Sequence, residues 1–107
     1  MAGKVNVYGY QAVAWVGTME PGDVHGWIHW GGGAETYGAV VGITARIVAT
    51  SRDENGTPDE GILAVEYVQY ERGSDSVPRT FFSIRNASPV AEVFGYGVFL
   101  TWTDAVS

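Results

Sequence analysis

Cysteine is absent from this sequence. That excludes disulfides, thiolate zinc sites and cysteine nucleophiles together. Positive charge is scarce as well: six bases stand against twelve acids, for a formal net charge of −6. The bases (Lys4, Arg46, Arg52, Arg72, Arg79 and Arg85) are scattered singly, so no basic stripe exists to neutralise phosphates. The expected partners therefore include no nucleic acid. No apolar run approaches the ~20 residues that a membrane span requires, and none is expected. The opening "MAGKVNVYGY" lacks the charged leader and apolar stretch of a signal peptide. The default is a soluble, cytoplasmic protein; a mature secreted chain carrying an added methionine gives the same sequence. Helical periodicity is missing too, since no window at that period is long enough to bury a helix face.

What is present reads as strands. At 46% hydrophobic and 17% charged residues, the composition is that of a folded globule. A length of 107 residues suits one domain over residues 1–107. Alternating, β-branched and aromatic segments separated by Gly, Pro, Asn and Asp predict an all-β, antiparallel β-sandwich or jelly-roll-like domain of six to eight strands. Strands are predicted at about 4–17, 23–30, 36–50, 62–71, 79–86 and 90–103. Pro21-Gly22 suits the centre of a type II turn, and the long third strand predicts a bulge near Gly42.

On the first strand, plain alternation puts Val5, Val7, Val13 and Trp15 on one face. Tyr8, Tyr10, Ala12 and Val16 fall on the other. Apolarity on both faces suggests a central strand or one covered by a second copy of the chain, hence a homo-oligomer. The last strand places Glu92, Phe94, Tyr96, Val98, Leu100 and Trp102 on one side. "VYGYQAVAW" and "VFGYGVFLTW" echo one another, as two aromatic strands paired in a core would. Glu66 is expected to pair with Arg46 or Arg85 across strands.

The densest cluster of chemistry is "DVHGWIHWGGG" at residues 23–33, with both histidines and two of the four tryptophans. Alternation sets Asp23, His25, Trp27 and His29 on one face, read as exposed. Val24, Ile28 and Trp30 are read as the core side. The two histidines stand four residues apart in a strand, so their Cα atoms are separated by about 13 Å. One ion cannot join them at zinc–nitrogen distances of ~2.0–2.1 Å, and no metal or other cofactor is expected. No Ser sits in GxSxG, and no carboxylate pair marks a glycosidase. Stacking and hydrogen bonding use the most residues: Trp27 would pack on a sugar ring, with Asp23, His25, His29, Glu35 and Tyr37 bonding its hydroxyls beside the bare Gly31–Gly33 backbone.

The sequence thus predicts a non-catalytic, lectin-like module for a neutral glycan or small molecule. Its alternatives are a self-associating or protein-interaction sandwich, and a small enzyme using His25 or His29 as acid or base. The acidic loop Asp53–Glu60 lacks EF-hand spacing, with Pro58 where glycine is needed, and reads as solvated. "NGT" at 55–57 and "NAS" at 86–88 match the glycosylation acceptor pattern, relevant only to a secreted chain.

Overall fold

The computed structural model describes residues 7–30, 40–72, 74 and 78–103. They form six antiparallel strands: β1 (Val7–Met19), β2 (Val24–Trp30), β3 (Val40–Ile47), β4 (Leu63–Arg72), β5 (Pro78–Asn86) and β6 (Val93–Thr103). No helix occurs among the described residues. The strands make two three-stranded sheets, ordered β1-β6-β3 and β2-β5-β4. The core between them is Met19, Phe82, Ile84, Val93, Tyr96, Val98 and Leu100. Most of it comes from the central strands β5 and β6, as expected when inward residues of each middle strand meet across a sandwich. Along β5, Thr80, Phe82, Ile84 and Asn86 are buried at every second position, the period of a pleated strand.

Turn chemistry follows the sequence. Asp23 N donates to Glu20 O at 3.0 Å, and Gly22 adopts φ 88°, so Pro21-Gly22 closes a type II turn. The echoing segments pair as neighbours, Tyr10 opposite Leu100 and Trp15 opposite Tyr96. The register of β3 against β6 shifts between Val40 and Gly42, the bulge that Gly42 predicts. Arg85 donates to Glu66 Oε1 from Nε at 2.9 Å and from Nη2 at 2.6 Å. This hydrogen-bonded guanidinium holds the Glu66 carboxyl below the usual carboxylate range.

Bulges overturn the simple alternation expected of β1 and β6. β1 shifts register between Gln11 and Val13 and again between Trp15 and Thr18. Each extra residue flips the strand's facing, so Tyr10 and Trp15, expected on opposite faces, both turn toward β2. Ala12 and Val13 both pack on the core, and Val16 is left 90% exposed. In β6, Gly95 takes φ 84°, which removes Phe94 from the face of Tyr96; Phe94 is exposed and Tyr96 is 1% exposed.

One buried polar residue pins the sheets together. Asn86 Nδ2 donates to Met19 O at 2.8 Å and Ala91 O at 2.9 Å, while its Oδ1 accepts from Ser88 N at 3.0 Å. The amide of "NAS" is therefore fully committed within the folded chain, whereas Asn55 of "NGT" lies exposed in a turn. That turn is tied by Asp53 Oδ1, which accepts from Asn55 N and Thr57 N at 2.9 and 3.0 Å.

Candidate functional site

The face carrying His25, Trp27 and His29 points inward, toward β1 and β6, which reverses the expected assignment. Val24 and Ile28, taken for core, are 52% and 50% exposed on the outer face. Alternation fixes which residues share a face and leaves open which face is covered. Here the opposing sheet supplies hydroxyls to Trp27 Nε1, His25 Nδ1 and His29 Nε2, so the large rings can be covered and the small aliphatics left out.

Tyr96 is the hub of this inner cluster. Trp27 Nε1 donates to its hydroxyl at 2.8 Å, and His25 Nδ1 lies 2.7 Å from the same oxygen. Indole N–H is only a donor, so Tyr96 accepts from Trp27; donating its own proton to His25 Nδ1 then satisfies both ring nitrogens that face it. Trp15 stacks on Tyr96 with centroids 5.1 Å apart and meets His25 edge-on at 4.5 Å. Trp27 stands edge-on to Tyr96 at 6.5 Å. Burial pushes the Tyr96 phenol up, opposed by the Trp27 hydrogen bond, so the hydroxyl keeps its proton across the neutral range.

Further along β2, His29 Nε2 lies 2.6 Å from the Tyr10 hydroxyl. Burial lowers the pKa of His29 from its ordinary value. Among the described residues its Nδ1 and the cross-strand Thr80 Oγ1 are buried without a partner. The folded state thus favours a neutral His29, while the unfolded chain takes a proton near pH 6.5. The stabilisation is full above about pH 6.5 and is lost as pH falls through the depressed folded value. We expect the melting temperature to drop between about pH 7.5 and 5.5, and His29→Gln to flatten that dependence. An equally steep fall in the variant, followed by thermal melts across that range, would assign the effect elsewhere.

The two histidines serve different tyrosines, and neither bonds a carboxylate among the described residues. Asp23 sits apart from them: its Oδ2 accepts Glu20 N at 2.9 Å and fixes the turn. The Trp30 side chain, Gly31–Gly33, Glu35 and Tyr37 lie outside the described residues. No group of three or more His, Asp and Glu side chains gathers among the described residues.

Open surface is found instead on the outer face of β2-β5-β4. A groove of about 550 Å³ runs over Gly26, Ile28, Phe81 and Ser83, bordered by Gln69, Glu71 and Tyr67. Its floor follows from register, with Gly26 opposite Ser83 and Ile28 opposite Phe81, which in turn faces Gln69. A Cβ added at Gly26 would meet nothing within 4 Å, so the glycine leaves the floor open. Tyr67 is 80% exposed and adopts φ 54° at the β4 bulge between Glu66 and Gln69. A bulky residue in left-handed backbone costs about 1–2 kcal/mol, and such strain concentrates at functional sites. Charged pairs stand at both ends, Arg85 on Glu66 and Arg79 on Glu71 at 3.9 Å. They leave the middle apolar and its hydrogen-bonding groups largely neutral.

Sequence reasoning missed this groove. The "EYVQYE" bulge that lifts Tyr67 out has no glycine or proline to announce it, although β4 and β5 themselves were legible. The fold and its surfaces define an antiparallel β-sandwich with an aromatic–histidine inner cluster and an open outer groove. Comparison with known protein families, curated proteins and solved structures found no match for the chain.

Proposed function

We propose that this protein is a non-catalytic ligand-binding module that takes a neutral glycan in the outer groove of β2-β5-β4. The observation that carries this is Tyr67, an exposed aromatic ring held at φ 54° beside an apolar floor. A sugar ring has a C–H face and a rim of hydroxyls. Tyr67 and Phe81 suit the face; Gln69, Ser83 and the Tyr67 hydroxyl suit the rim. The groove volume of about 550 Å³ falls within the range of small-molecule sites. Trp27, which the sequence nominated as the stacking platform, packs inside, so stacking passes to Tyr67.

Titration of neutral oligosaccharides into the intact chain, read by calorimetry and amide chemical shifts, tests the proposal. Tyr67→Ala should weaken binding by up to about tenfold, as expected for a lost stacking ring of roughly 0.5–1.5 kcal/mol. Tyr67→Gly should melt at a higher temperature, because glycine carries no penalty at this φ, yet lose binding equally. A panel with no binder, or a Tyr67→Ala protein that binds as well as the parent, overturns the glycan reading.

A second reading, self-association, rests on Val24 and Ile28, half exposed on the same outer face. It predicts a concentration-dependent sedimentation coefficient in the ligand-free protein, and oligosaccharide would then shift it toward the monomer.

A further inference from the structure

The opposite outer face, on β1-β6-β3, carries a second and independent concavity of about 330 Å³. Its shape follows from register. Ala14, Gly97 and Arg46 lie side by side across the three strands, and Gln11 and Phe99 form the next row. The middle row is low at Ala14, whose short side chain is exposed, while Gly97 beside it is buried beneath the Phe99 ring and the Gln11 side chain. Phe99 and Gln11 wall one side, Val48 the other, and Arg46 closes the end.

Arg46 is unusual in its surroundings. Arg52 donates to Gly56 O at 2.7 Å, Arg85 holds Glu66 and Arg79 pairs with Glu71. Among the described residues Arg46 has no such partner, in a chain where acids outnumber bases two to one. A planar guanidinium without a carboxylate among the described residues, at the end of an apolar trough, presents a fork that matches one carboxylate.

We propose that this trough binds a small organic monocarboxylate with a flat apolar body. The carboxylate pairs with Arg46, the body lies over Ala14 against the Phe99 ring, and the Gln11 amide borders it. A single positive group in a chain of net charge −6 favours one negative charge over a dianion. The pairing is exposed, so affinity is expected near the millimolar range and should weaken with added salt.

Benzoate is the probe and benzyl alcohol its uncharged counterpart, each titrated into the intact chain by calorimetry and amide chemical shifts. Benzoate should bind about tenfold or more tightly than benzyl alcohol. Arg46→Gln should bring benzoate down to the level of the alcohol. Ala14→Leu should weaken both, by filling the trough. Ala14 is exposed, so that variant should fold and melt like the parent. Tyr67→Ala, altered only on the far face, should leave benzoate binding unchanged. Equal binding of benzoate and the alcohol, unchanged benzoate binding by Arg46→Gln, or no benzoate binding at all overturns the proposal.

Discussion

Replacing Asn86 by aspartate is expected to unfold much of the protein at neutral pH. The side chain is 1% exposed, and both of its amide hydrogens are committed, to Met19 O and Ala91 O. Aspartate would place an oxygen where that NH2 stands, against two carbonyl oxygens at 2.8 and 2.9 Å, and would bury a charge with no cation beside it among the described residues and only the Ser88 N–H retained. A buried polar group left unpaired costs about 1–3 kcal/mol, and an unpaired charge costs more. Domains of this size are stable by only about 5–15 kcal/mol, so the loss is a large share of the whole. Asn86→Ala should be milder, at roughly 3–5 kcal/mol, since it strands two carbonyls and the Ser88 N–H without adding charge.

The pH dependence separates the two variants. Burial raises the new carboxyl of the Asn86→Asp variant above its unfolded value of about 3.9. Its stability is then lost as pH rises through the folded value and recovered as pH falls. Urea midpoints measured from about pH 7 to 5 should therefore rise for Asn86→Asp while the parent's fall. Parallel curves for the two proteins would refute the account.

The strands were legible because their side chains obey a period of two and their turns carry glycine and proline. Facing was less so. His25, Trp27 and His29 share a face as alternation requires, while Asp23 stays in the preceding turn; the burial of that face depends on Tyr96 and Tyr10, which arrive from distant parts of the chain. No local pattern announces that a hydroxyl across the sandwich will accept an indole proton. The bulges in β1 had the same effect, since each extra residue reverses the inferred facing of all that follows. Of the two partners expected for Glu66, Arg46 and Arg85, the structure pairs it with Arg85 on the adjacent strand β5. The groove under Tyr67 needed the backbone itself, for its positive φ belongs to the β4 bulge and to no residue type.

Tyr96→Phe removes one oxygen and is expected to cost about 2 kcal/mol or more, which is roughly 10 °C in Tm for a domain of this length. The ring, and with it the stack against Trp15 at 5.1 Å, is retained. What is lost is the partner shared by Trp27 Nε1 and His25 Nδ1. Both of those side chains are only half buried, so their unmet hydrogen bonds fall toward the low end of the roughly 1–3 kcal/mol expected for each. The Trp27 indole N–H chemical shift should report the broken bond. The double variant Tyr96→Phe with Trp27→Phe should lose less than the sum of the two single losses, because the pair shares one interaction. Alkaline behaviour gives a second readout. The buried phenol titrates above its unfolded value of about 10, so its contribution is present below that pH and is lost as pH rises through the folded value. The parent should therefore lose stability above about pH 10 more steeply than Tyr96→Phe, which has no hydroxyl to titrate at that site. Additive losses in the double variant together with identical alkaline melts would show that Tyr96 acts through its ring alone.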